Sequence, residues 1–70
     1  MITIADIHKR LAENLHSTGL TQKEMAKMVG ISQKTISHYV NGDKMPALDT
    51  LANLCRVFDL DPAEILCLKD

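Results

Sequence analysis

Aromatic side chains are nearly absent: one tyrosine, one phenylalanine and no tryptophan in 70 residues. A surface that stacks on unpaired bases needs several rings on one face, so that mode of nucleic-acid binding is excluded. Long apolar runs are also missing. No stretch approaches the roughly 18 residues of a membrane-spanning helix. The amino terminus has no basic segment leading into an apolar one, so no signal peptide is read and the chain is expected in the cytoplasm. Cysteine is scarce. Cys55 and Cys67 fall on separate predicted helices without metal-ligand spacing, which favours small buried thiols over a disulfide or a zinc site. His8 and His16 share one predicted helix and are read as surface or boundary residues. No His-x-x-x-His pair, Gly-rich phosphate loop or nucleophile–base pair is present, so no catalytic residue, metal ligand or cofactor is expected and an enzyme is disfavoured.

Positive charge is not in excess either. Eight Lys and Arg face nine Asp and Glu, a net charge of −1, which argues against indiscriminate DNA affinity. The distribution says more than the sum. Residues 1–20 balance Lys9 and Arg10 against Asp6 and Glu13. Residues 21–44 set Lys23, Lys27, Lys34 and Lys44 against Glu24 and Asp43 only. Residues 45–70 set Arg56 and Lys69 against Asp49, Asp59, Asp61, Glu64 and Asp70. The middle third is basic and the last third acidic.

What the chain has is helical patterning. Apolar residues make up 46%, enough for a helical core in one small domain spanning residues 1–70; domains of about 60 residues fold alone but marginally. No linker, repeat or low-complexity segment interrupts it. Thr3 and Asp6 make a capping pair, with Ile2 and Ile7 placed as a hydrophobic staple. Ile4, Ile7, Leu11 and Leu15 then recur at helical spacing up to about Ser17. Gly19 terminates this helix and Leu20 tucks into the core.

Thr21 and Glu24 form a second capping box. Met25, Ala26 and Val29 are the apolar face of the helix it opens. Gly30 ends that helix, Ile31 plugs the turn, and Ser32 caps the next helix two residues later. So short a link makes the helices cross steeply, and Ala26 allows the axes to approach. On the following helix Thr35, Ile36, Tyr39 and Val40 project into one arc. Gln33, Lys34, Ser37, His38 and Asn41 fill an opposite arc of roughly 140°. That outer row contains no Asp or Glu, and every member is able to donate a hydrogen bond. An ordinary helical hairpin usually mixes Glu and Lys on its solvated face. A carboxylate-free row of small polar side chains instead suits a DNA major groove.

Asn41-Gly42-Asp43-Lys44 is a turn, and Pro46 precludes a continuous helix through it. Leu48, Leu51, Leu54, Cys55 and Phe58 predict a fourth helix. Asp61-Pro62-Ala63-Glu64 opens a fifth. The chain is expected to carry no separate sensing or dimerisation domain. Ile65, Leu66 and Leu68 do not all fit the inward face of one short helix. Either one is exposed, or the end of the helix forms a two-fold contact in a homodimer.

The stretches TQKEMAKMVGISQKTIS (Thr21–Ser37), NGDKMP (Asn41–Pro46) and LDTLANLCRVFDL (Leu48–Leu60) resemble the phage-repressor (Cro and xenobiotic-response-element) helix-turn-helix family. The resemblance runs from the first helix to Leu66. It implies an all-α, compact five-helix domain of the lambda-repressor type, with the helix-turn-helix at helices 2 and 3 and the third helix in the major groove. It implies base reading by Gln33, Lys34 and Ser37, with His38 next, and phosphate binding by Gln22, Ser32, Asn41 and Lys44. Gln22 in such proteins often braces the first recognition glutamine, here Gln33. Two positions depart from the pattern: Ala47 stands where Ser or Thr usually caps the fourth helix, and Asp59 replaces a frequent glycine.

The function expected from this reading is a sequence-specific double-stranded-DNA regulator, a repressor occupying an inverted-repeat operator. The alternative is a protein-interaction module such as the antitoxin of a toxin–antitoxin pair. A protein-docking face would be richer in apolar or aromatic residues than the outer row of the third helix. Neither a membrane nor a small-molecule ligand is indicated as a partner.

Overall fold

Two reciprocal capping boxes fix where the first two helices begin. In the computed structural model, which describes residues 1–69, α1 spans Ile4–Ser17 and α2 spans Gln22–Val29. Thr3 Oγ1 accepts the Asp6 N–H at 3.1 Å, and the Asp6 carboxylate accepts the Thr3 N–H at 3.1 Å. Thr21 and Glu24 repeat the exchange at 3.1 and 3.0 Å. Each box satisfies two donors that a helix start otherwise leaves unpaired. Between the helices, Thr18 Oγ1 donates to the Leu15 carbonyl at 2.7 Å and accepts the Leu20 N–H at 3.2 Å. With Gly19 at a φ of 73°, this closed turn sets Leu20 against the core.

Three more helices follow: α3 (Gln33–Asn41), α4 (Leu48–Phe58) and α5 (Pro62–Ile65). Ser32 caps α3 by accepting the Thr35 N–H at 3.1 Å. Asp61 caps α5 by accepting the Ala63 N–H at 2.9 Å, with Pro62 at the first helical position, where its missing N–H is not needed. The start of α4 has no side-chain cap, because Ala47 holds the extended cap geometry without an acceptor. Its end is a left-handed Asp59 at a φ of 54°, a conformation that glycine adopts with less strain. Both departures noted in the sequence are therefore structural features of α4.

The protein is an all-α, five-helix compact domain with a radius of gyration of 11.1 Å. The core is one cluster to which every helix contributes. Leu11 and Leu15 of α1, Ile36 of α3, Leu54 of α4 and Ile65 of α5 are fully buried, and Met25 and Ala26 bring in α2. α3 packs on both α1 and α2, α5 packs on α1, and α4 packs on α2. No helix among the described residues is long and apolar enough to cross a membrane.

Several apolar positions assigned to helix faces lie outside. Leu48 is 85% exposed and Ile4 is 65% exposed. Both are the first residue of their helix, so the helical period places them on the inward stripe at a level where no neighbouring helix reaches. Ile2 is exposed as well, leaving the expected staple on the surface. Cys55 and Cys67 are half-buried rather than buried. The three apolar residues near the carboxyl end divide: Ile65 is fully buried, Leu66 half-buried and Leu68 70% exposed. Helix α5 ends at Ile65, and the chain then turns through a left-handed Cys67. Lys69 Nζ closes this terminus on Asp61 Oδ2 at 2.8 Å and, with the Ala63 N–H, holds the Asp61 carboxyl below its ordinary range.

Replacing Ala47 with Ser supplies the missing acceptor at an exposed, extended position. The expected gain is about 1 kcal/mol, which raises the melting temperature of a domain this size by roughly 4–8 °C. Thermal unfolding followed by circular dichroism measures it, and an unchanged midpoint would show that the α4 start does not limit stability.

Candidate nucleic-acid interface

The position of α3 is set by one carbonyl. Ala26 O accepts both the Gly30 N–H, at 2.9 Å, and the Ile31 N–H, at 3.1 Å. This closes α2 through a left-handed Gly30 at a φ of 82°, a value at which an L side chain is strained. Ile31 then packs against the core and Ser32 caps α3. Ala26 itself is buried, consistent with a close approach of the two axes.

The inner face of α3, formed by Ile36, Tyr39 and Val40, is buried among α1 and α2. Burying side chains of this size is worth about 1.5–3 kcal/mol each, which fixes the rotation of the helix about its axis. The outer face then follows. Gln33, Lys34 and Asn41 are exposed, and Ser37 and His38 are half-buried. The structure thus gathers the four candidate base readers, Gln33, Lys34, Ser37 and His38, on one helix.

Their hydrogen bonds define what they offer a partner. Among the described residues the Gln33 and Lys34 side chains have no intramolecular hydrogen bond, so both heads are available. Asn41 Nδ2 donates to Ser37 Oγ at 3.2 Å, leaving the Ser37 hydroxyl hydrogen free to donate outward. His38 behaves differently: its Nδ1 lies 3.4 Å from Asp43 Oδ2. The row read as free of carboxylates therefore has one member whose ring is engaged from the side by a carboxylate outside the helix. Asp43 was not among the sequence candidates. The signal for it was the Gly42 that follows the helix, because a left-handed residue there turns the next side chain back over the last turn.

The candidate phosphate ligands are more dispersed. Gln22 is the half-buried first residue of α2, and among the described residues no hydrogen bond joins it to Gln33. Ser32 is exposed, but its Oγ already serves the Thr35 N–H and lies 2.7 Å from Thr35 Oγ1. Asn41 and Lys44 flank the turn after α3, where the Lys44 N–H reaches the His38 carbonyl at 3.4 Å. Lys23, Lys27, Lys34 and Lys44 are all exposed, so the positive charge of the middle third is available at long range.

The rest of the surface carries little chemistry. Among the described residues no group of three or more His, Cys, Asp or Glu could hold a metal ion. Burial and the Asp61 carboxylate push the Cys55 thiol above its ordinary value of 9.0, the opposite of what a nucleophilic thiolate needs. His8, read as a surface or boundary residue, is half-buried and has its Nε2 buried without a hydrogen-bond partner, in a shallow groove shared with His16, Asn41 and Gly42.

Comparison with known proteins agrees with this geometry. A family profile described as helix-turn-helix matches residues 10–65, a span that contains α2, the Gly30 turn and α3 whole. No curated protein and no solved structure matches the chain.

The cap that aligns α2 is pH-sensitive. The Thr21 backbone N–H, and then its hydroxyl, hold the Glu24 carboxyl below its ordinary value of 4.5. A carboxyl depressed in the folded state stabilises it above the unfolded value, and that contribution is lost as pH falls through the folded one. Carboxyl-resolved NMR titration should find Glu24 ionising below 4.5, and moving back up in Thr21→Ala. An ordinary Glu24 titration in the wild type would contradict the capping box.

Proposed function

The chain belongs to the helix-turn-helix family, and we propose that it is a sequence-specific transcriptional regulator of the phage-repressor (Cro, lambda-repressor) type. In this reading it is a repressor that occupies an operator in double-stranded DNA, with α3 in the major groove. The observation that carries it is the outer face of α3. It has exposed Gln33 and Lys34, a Ser37 hydroxyl whose hydrogen is uncommitted and no carboxylate on the helix itself, while its inner face is locked into the core.

Gln33 makes a bidentate contact to adenine N6 and N7, and Lys34 donates to guanine O6 or N7. Ser37 and His38 read the next base edges. Gln22, Ser32, Asn41 and Lys44 grip phosphates and set the register. The protein does its work without catalysis, metal or cofactor, in the cytoplasm. Few phosphate contacts per subunit mean a shallow salt slope and weak binding by one copy. A homodimer offsets this by placing two recognition helices in successive major grooves about 34 Å apart, over an inverted repeat. The exposed Leu68 beside α5 supports a two-fold contact at the carboxyl end. An antitoxin-type docking role is less well supported, because the outer face of α3 presents no large apolar side chain.

Selection from a random duplex pool at about 0.1 M salt, where the Debye length is roughly 10 Å, is expected to enrich an inverted repeat. No enriched sequence would overturn the reading in favour of protein docking. On the selected duplex, Gln33→Ala should relax one base position by about 1–3 kcal/mol. Lys44→Ala should weaken cognate and random duplexes alike. Equal losses from both changes on both duplexes would overturn these roles.

A further inference from the structure

The backbone leaving α3 folds back on the helix. Gly42 takes a φ of 81°, and its N–H reaches the His38 carbonyl. The Asp43 and Lys44 N–H groups converge on the same carbonyl at 2.9 and 3.4 Å. Three successive N–H groups on one acceptor leave Asp43 little freedom, and its side chain is delivered beside the His38 ring, Oδ2 3.4 Å from Nδ1. The same turn therefore ends the recognition helix and sets a carboxylate against one of its outward side chains.

A neutral imidazole carries one proton. The nitrogen that lacks it accepts hydrogen bonds and cannot donate. Which nitrogen holds the proton is set by the partner of the other, and an ionised carboxylate can only accept. In a neutral ring, a hydrogen bond from His38 to Asp43 Oδ2 requires the proton on Nδ1, which leaves Nε2 as a bare acceptor. The His38 and Asp43 side chains are 29% and 60% exposed and their contact is long, so Asp43 biases the tautomer and adds little to stability.

We propose that Asp43 is a positioning residue for base reading: by keeping the His38 proton on Nδ1 it makes Nε2 an acceptor that selects a major-groove amino group. The bases that present one are cytosine, through N4, and adenine, through N6. Guanine O6 and N7 and thymine O4 offer only acceptors, and an acceptor facing them is repelled. Lys34 only donates and the Ser37 hydroxyl hydrogen is uncommitted, so His38 gives the face an acceptor that, beyond the hydroxyl lone pairs, is otherwise supplied by the Gln33 and Asn41 amides. The assignment rests on the reading that α3 enters the major groove.

Two measurements on the full chain, wild type and Asp43→Ala, test it. Nitrogen-15 NMR of the histidine rings at about pH 8.5, two units above the ordinary imidazole value, reads the tautomer without DNA. His38 is expected with Nδ1 protonated and Nε2 bare in the wild type, and the proton should move toward Nε2 in Asp43→Ala. A wild-type His38 protonated on Nε2, or a ring unaffected by Asp43→Ala, overturns the proposal. Selection from the random duplex pool reads the consequence. The wild type should favour cytosine or adenine several-fold at one position per half-site, and Asp43→Ala should bring that preference close to one while leaving the Gln33 and Lys34 positions intact. Removing a negative charge also raises overall affinity, so the change in preference at one position is the discriminating readout. If the other positions stay enriched and this one does not respond, the assignment to Asp43 fails and the DNA-binding reading stands. No enrichment at any position by the wild type overturns both.

Discussion

The orientation of α3 depends on a left-handed backbone at Gly30. Because that residue turns the chain where it does, the Ala26 carbonyl takes two N–H groups, Ile31 points inward and Ser32 is in place to begin α3 two residues later. An L side chain at a φ of 82° would be strained even though nothing lies within 4 Å of where its Cβ would stand. The constraint is one of backbone conformation and not of space. Displacing this turn would alter both the inner packing of Ile36, Tyr39 and Val40 and the bearing of Gln33 and Lys34.

Much of this was legible in the residues. Thr-x-x-Asp and Thr-x-x-Glu announced two capping boxes, and both exist with reciprocal bonds, because the motif is local and nothing distant competes with it. Gly30, Gly42 and Pro46 placed the breaks for the same reason. The inner face of α3 was equally plain, since a helix packed on two neighbours shows its full period. The errors came where a period outruns its neighbours: Ile4 and Leu48 have the right phase but stand at helix starts that nothing covers. At the candidate interface, the helix wheel gave the row of outer residues but not their mutual bonds. Asp43 belongs to the turn, five positions beyond His38, and only the folded backbone brings it alongside. The Ser32–Thr35 and Ser37–Asn41 contacts were hidden in the same way.

Charge and fold divide the chain differently. The five helices share one core, yet Lys23, Lys27, Lys34 and Lys44 lie on or just after α2 and α3, and Asp49, Asp59, Asp61 and Glu64 on or beside α4 and α5. One of those acids, Asp61, is tied to Lys69 and the N–H of Ala63. The domain is therefore electrically polar while nearly neutral in sum.

The division of labour across α3 has a consequence for how such a protein changes over time. Its inner residues answer to α1 and α2, while the heads of Gln33 and Lys34 answer to nothing within the described chain. Exchanges at these two outward positions leave the core untouched, so they cost folding little. His38 differs from them. Its ring leans on a neighbour supplied by the turn, so a replacement there alters the surroundings of Asp43 too, and the two positions are expected to change as a pair.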